Sequence, residues 1–266
     1  MQAAAARRQS DHVDPAADPW DRLRQVFDRY AAAGRTATFW RRDDDLRVAG
    51  PALDRLLALA DGGPVTLAAI PRDLDAAAAA RLDATAGVTL APHGWAHANH
   101  APEGEKKAEF GAHRPVEAML AEIAAAWRRL RTLAPTAARP IFVPPWNRID
   151  ARLAARLPEA GLAALSTVKP RTPAERGRRL NVHVDPIDWK AGKRFLGDAP
   201  ALEQAIGHLT ARLDPEFPGD PQEPTGLLTH HPVHDGACWR FLERLHRAVA
   251  DHPAARFVDA EQGLEP

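Results

Sequence analysis

Cysteine is all but missing from this chain: Cys238 is the only one in 266 residues, so no internal disulfide can form. Nothing in the covalent chemistry then requires an oxidising compartment, and the thiol reads as a small buried hydrophobe. An excess of either charge is missing too. Thirty-five basic side chains stand against 35 acidic ones, and such a surface has no net field with which to gather DNA or anionic lipid. Neither nucleic acid nor membrane is expected as a partner. No run reaches the roughly 18 apolar residues that span a bilayer. The Ala-rich start, Met1 to Ala6, meets Arg7 and Arg8 at once and lacks the order of an export signal. A soluble, cytoplasmic protein is expected. No GxGxxG follows a strand-like run and no P-loop occurs, which argues against a nucleotide-dependent activity. Tyrosine is nearly absent as well, with one residue, whereas there are twelve histidines and seven tryptophans. The placement of these imidazole and indole rings along the chain carries most of its chemical information.

The chain is 45% apolar and 26% charged, enough to bury a substantial core in one large domain or two small ones. Residues 1–18 are polar, show no apolar period and are expected to fray. From Asp18, Trp20, Leu23, Val26, Phe27 and Tyr30 recur at helical spacing up to Gly34. Strand-like and helical runs then alternate. Strands are expected at 36–40, 65–70, 88–91, 140–143, 165–168, 181–187, 226–229 and 256–258, and helices at 51–60, 73–85, 115–133, 151–160, 199–213 and 238–251. The alternation predicts an α/β barrel or a doubly wound sheet. It continues across the Pro-rich stretches at 170–173 and 215–224, so residues 19–266 read as a single domain.

Five short motifs carry candidate chemistry. Asp43, Asp44 and Asp45 follow the first strand-like run; three adjacent acids repel unless a cation or bases hold them, although acids also favour turns and helix caps. His93-Gly94-Trp95-Ala96-His97 places two imidazoles four apart, which on a helical turn would share one face and reach one metal ion; a His-rich chain also produces this spacing by chance. In Val143-Pro144-Pro145-Trp146-Asn147 the prolines fix the backbone so that the Trp146 N–H points one way, as an oxyanion donor or simply within a rigid loop. Asp185-Pro186-Ile187-Asp188-Trp189 and Leu227-Leu228-Thr229-His230-His231 offer an acid and strand-end imidazoles suited to proton transfer, or loop filling.

The order of these motifs resembles the polysaccharide deacetylases, the NodB-homology group that forms carbohydrate esterase family 4. The resemblance runs from about Thr36 to His231. It implies a distorted (β/α) barrel of about seven strands and a divalent metal, usually zinc, in an enzyme that removes N-acetyl groups from saccharides. Carried over by motif, His93 and His97 are the imidazole ligands, Asp45 the carboxylate ligand and Asp44 the general base; a register shifted by one would use Asp43 and Asp44. His230 is then the general acid with Asp188 behind it, and Pro145, Trp146, Trp189 and Trp95 border the substrate. Two departures stand out. Val143 replaces the arginine that steadies the base, leaving Arg41 or Arg42 to substitute, and Leu46 replaces a glycine after the acid pair. They keep open a glycan-binding protein without catalysis on the same fold; hydrolysis of another amide or an ester is a third reading.

Overall fold

The computed structural model describes residues 17–265. Of the N-terminal stretch expected to fray, only Ala17 and Asp18 fall among them. Helix α1 (Pro19–Ala32) starts where the Asp18 carboxylate accepts the Trp20 N–H and a proline occupies the first turn. It buries Trp20, Leu23, Val26, Phe27 and Tyr30, the stripe that its sequence predicts. Strand β1 (Ala37–Leu46) is followed by α2 (Pro51–Ala60), β2 (Val65–Ala69), α3 (Ala76–Asp83), β3 (Val88–Pro92) and α4 (Val116–Leu133). Next come β4 (Ile141–Phe142), α5 (Ala151–Ala154), β5 (Ala164–Leu165), β6 (Ile187–Asp188), β7 (Arg194–Phe195) and α6 (Asp198–Leu213). The chain closes with β8 (Thr225–Thr229), α7 (Gly236–Ala250), β9 (Ala255–Val258) and α8 (Ala260–Leu264). No helix among the described residues is long and apolar enough to cross a membrane.

The frame is a five-stranded sheet in the order β3-β2-β1-β8, with β9 also on β1. Every pairing is parallel, as helical crossovers between successive strands require. α1 lies against α6, where the Tyr30 hydroxyl donates to the Leu209 carbonyl and Trp20 Nε1–H to Asp198. Cys238 is fully buried in this helical layer, and burial pushes its thiol up to about 12.

Continuous ladders do not form the expected seven-strand barrel. β4 and β5 pair over two residues each, and the stretch expected as a strand at 181–187 makes single parallel bridges at Val168–Val182 and Val184–Leu227 before Ile187 enters β6. Proline is one cause: Pro140, Pro144, Pro145 and Pro170 flank these segments and lack the N–H that a ladder needs. A short antiparallel hairpin, β6 with β7, is a feature that the alternation of strands and helices does not foretell. The helix expected at 151–160 is also broken, into α5 and a separate 3-10 turn at Leu157–Ala160, because Pro158 interrupts it. Even so, Trp40, Ala68, Ala91, Ile141, Ala164 and Leu228, drawn from six strands, meet in one buried cluster.

Candidate metal centre

β1 runs six residues past the expected strand end at Trp40 and carries all three aspartates within it. In a regular strand alternate residues face opposite sides. Here the register against β2 slips between Asp43 and Leu46, and Asp45 takes a left-handed backbone with φ 70°. Such an irregularity re-aims side chains. The three carboxylates consequently go to three places. Asp43 is fully buried and accepts from Thr229 Oγ1 (2.6 Å), the His231 N–H (2.9 Å) and His231 Nδ1 (2.5 Å). Asp44 takes a two-pronged grip from Arg42, Nε–Oδ1 2.9 Å and Nη2–Oδ2 3.0 Å. Asp45 Oδ1 lies 3.4 Å from His93 Nε2 and 3.3 Å from His97 Nε2.

The arginine expected to hold Asp44 is absent at Val143, and Arg42 of β1 itself holds that carboxylate instead. Arg42 is completely buried and also donates to Ser166 Oγ and Asn147 Oδ1, both at 2.7 Å. Arg41 points elsewhere, to His246 Nδ1 and the Phe257 ring. The missing glycine is absorbed too: Leu46 continues the strand, fully buried, and its carbonyl accepts the Ile70 N–H.

The two imidazoles do not sit on a helical turn. Residues 93–97 form an open bend after β3, with Gly94 at φ 64° and His97 at φ 55°. The Glu109 carboxylate holds this bend, accepting the N–H groups of Trp95 (3.4 Å), Ala96 (2.8 Å) and His97 (3.2 Å). Burial raises the Glu109 pKa even so. Gly94 is required here: besides its left-handed φ, a Cβ would collide with Glu109 and Pro145. Glu109 belongs to no motif, and a side chain that acts on backbone N–H groups leaves no spacing signal.

At His93, Nδ1 faces the Val143 carbonyl at 3.0 Å. That acceptor places the ring hydrogen on Nδ1 and leaves the Nε2 lone pair towards Asp45, as a metal ligand needs. Burial opposes charge on His93, but Asp44 and Asp45 outweigh it and its pKa is raised. Burial, reinforced by His93, pushes His97 down to about 4. The Asp45 carboxyl, despite its burial, is held well below the usual range by His93, His97 and His230. Among the described residues this trio is one of two groups of metal-ligating type with all donor atoms within 4.8 Å. The other is His183, His208 and Glu223, where the tautomer is reversed. The Gly226 N–H donates to His183 Nδ1 at 2.9 Å, so the hydrogen sits on Nε2, facing Glu223 at 3.3 Å. In the first trio the Nε2 atoms of both imidazoles converge on Asp45 and neither is tied to a backbone group, and a divalent cation fits it.

The remaining motif residues surround the trio unevenly. Trp146, with φ 56°, packs on the His97 ring at 4.4 Å. Trp189 is 41% exposed and lies edge-on to His230 at 4.5 Å. His230 Nδ1 is buried without a hydrogen-bond partner. Asp188, expected behind His230, instead uses its carboxylate to cap the Lys190 and Ala191 N–H groups. Burial raises the Asp185 pKa, and a 2.8 Å bond from Trp189 Nε1 opposes the rise. Pro145 is buried against Gly94. Trp95 packs into the apolar cluster around Phe110 and Phe142, and Trp40 is buried with its Nε1 on Thr66; these two serve packing.

No protein-family model matches the chain, and no curated protein matches it in sequence. Solved structures do. A deacetylase with substrate is 16% identical at a TM-score of 0.52, over 85% of this chain and 90% of that one. A family 4 acetyl xylan esterase from Clostridium thermocellum, in complex with a cobalt ion, is 14% identical at 0.53, over 85% and 89%. A carbohydrate esterase family 4 pseudoenzyme from Bacillus anthracis is 13% identical at 0.56, over 86% of this chain and 66% of that one. The fold is that of the polysaccharide deacetylases. Enzymes and a pseudoenzyme share it, so activity must be argued from the residues.

Proposed function

We propose that the protein is a hydrolase that removes N-acetyl groups from a saccharide, with a divalent cation, zinc by preference, held by Asp45, His93 and His97. The convergence of these three donors beside the Arg42–Asp44 pair is the observation that carries the reading. A cation bound there supplies Lewis acidity, polarising the acetamide carbonyl and making water a better nucleophile. Asp44, oriented by Arg42, takes the proton of the attacking water as its oxygen adds to the carbonyl carbon. The Trp146 N–H, fixed by the two prolines, stabilises the developing oxyanion; one such donor is worth on the order of a hundredfold or more in rate. His230 gives a proton to the nitrogen as the C–N bond breaks. His231 is tied by Nδ1 and its backbone N–H to Asp43, which leaves His230 for that role. Acetate and a free amino sugar result.

A glycan-binding protein without catalysis is the second reading, favoured by Val143 and by the pseudoenzyme of like fold. Arg42 weakens it by gripping the base from another position. Acetate release from N-acetylglucosamine oligomers, after chelation and after reloading with zinc or cobalt, separates the two. Release that returns with the metal and is lost in Asp44→Asn, with metal still bound, is expected. A metal-loaded protein that binds the oligomers and yields no acetate establishes the second reading.

A further inference from the structure

Among the described residues, Val48, Val168 and Trp189 are the large hydrophobic side chains that stand exposed, at 60%, 44% and 41%, and Val48 and Trp189 border the candidate centre. Trp189 abuts His230. Val168 lines a cavity of about 510 Å³ with Asn147, Lys169, Asp185 and Gln204. Val48 lines a trough of about 450 Å³ with Pro51, Leu53 and Pro232, and Asp45, Arg47 and His231 line it too. Exposed apolar surface gathered at one place marks a ligand site. A tryptophan face suits a sugar ring, but a wall of valine, leucine and proline gains little from hydroxyl groups and much from an aliphatic chain.

The two recesses differ in position: of the two, only the trough is lined by one of the proposed ligands, Asp45. The larger cavity is walled by Val182, Val184, Phe217 and Leu228 as well as by Asn147, Lys169, Asp185 and Gln204, and none of the three proposed ligands lines it. The trough instead adjoins Asp45, on the cation's side, and a methyl group is far too small to fill it. We propose that the trough bordered by Val48, Leu53 and Pro232 receives the acyl side of the substrate, and that the preferred substrate is a saccharide bearing a medium-length aliphatic N-acyl chain rather than acetyl. The proposal rests on the reading of the protein as a metal-dependent amidase and names its substrate class. The reaction stays balanced: water supplies the acyl oxygen and the proton on the amine, and a fatty acid replaces acetate.

The test is calorimetric binding of straight-chain hydroxamic acids, acetyl to octanoyl, to the cobalt-loaded protein, which needs the cation and the trough but no turnover. Dissociation constants are expected to fall about threefold to fourfold for each added methylene up to hexanoyl, the gain from burying a CH₂. In Val48→Asp, at an exposed position where folding should survive, the series is expected to flatten. Wild-type constants that stay level or rise with chain length overturn the proposal, as does a Val48→Asp variant that keeps the full dependence. A level series together with acetate release removes the trough and leaves deacetylation standing. A steep series with no hydrolysis of any N-acyl sugar keeps the trough as an aliphatic site and removes the hydrolase.

Discussion

Arg42 is fully buried, and its guanidinium spans Asp44, Ser166 and Asn147. Removing one member of such a pair leaves the other charge uncompensated, which costs about 3–5 kcal/mol. Arg42→Ala is expected to lower unfolding free energy by that amount in urea titration; a loss under about 1 kcal/mol would mean that Asp44 finds another partner. Glu109→Gln tests the clamp on the His93–His97 bend. Its neutral amide matches three N–H groups poorly, and disturbing groups that orient metal ligands typically costs ten- to a hundredfold in affinity. Zinc affinity by competition with a chromophoric chelator is expected to fall within that range, and an unchanged affinity would show that the bend holds its shape alone. The order of motifs in the sequence pointed to Asp45, His93, His97 and His230, but that the Asp188 carboxylate is committed to a turn was not legible. Asp185 and Asp188 both precede Trp189, and only the fold decides that Asp188 caps a turn. Glu109 and the bond from Arg42 to its own strand neighbour were hidden for a related reason: both depend on backbone geometry rather than on residue type.

At the scale of elements, amphipathic helices were the most legible part of the chain. α2 has the bounds that its sequence predicts, and α4 differs by one residue, because apolar periodicity and terminal prolines reinforce each other. β1 was underestimated, since charged residues 41–45 break the apolar pattern while their partners, Thr229, His231 and His93, lie far away in sequence. The stretch at 181–184 meets β8 through Gly226, whose carbonyl accepts both the His183 and Val184 N–H groups. A Cβ on Gly226 would collide with the Asn181 carbonyl and Val182. Gly226→Ala is therefore expected to destabilise by about 1–3 kcal/mol or more through overpacking, and to speed exchange of the Val184 and Leu228 amides. Wild-type stability in this variant would show that the crossing can shift at no cost.

The whole molecule has no net charge, so its pH response comes from a few buried groups. Burial lowers the pKa of His183 and His208, and of His234 to about 4. Unfolding returns each to about 6.5, so below that pH the unfolded chain binds protons that the folded chain refuses. Metal-free protein is expected to keep its stability above pH 6.5 and to lose at least about 2 kcal/mol between pH 7 and pH 5, His93 opposing with its raised pKa. Equal urea midpoints at the two pH values would contradict this. The central claim concerns one cation and three donors, and zinc titration calorimetry addresses it directly. The account predicts one equivalent bound by wild type and by Asp43→Asn, and none at that affinity by Asp45→Ala or His93→Ala. Zinc uptake unchanged by the loss of Asp45 and His93, or abolished through Asp43 alone, would contradict it.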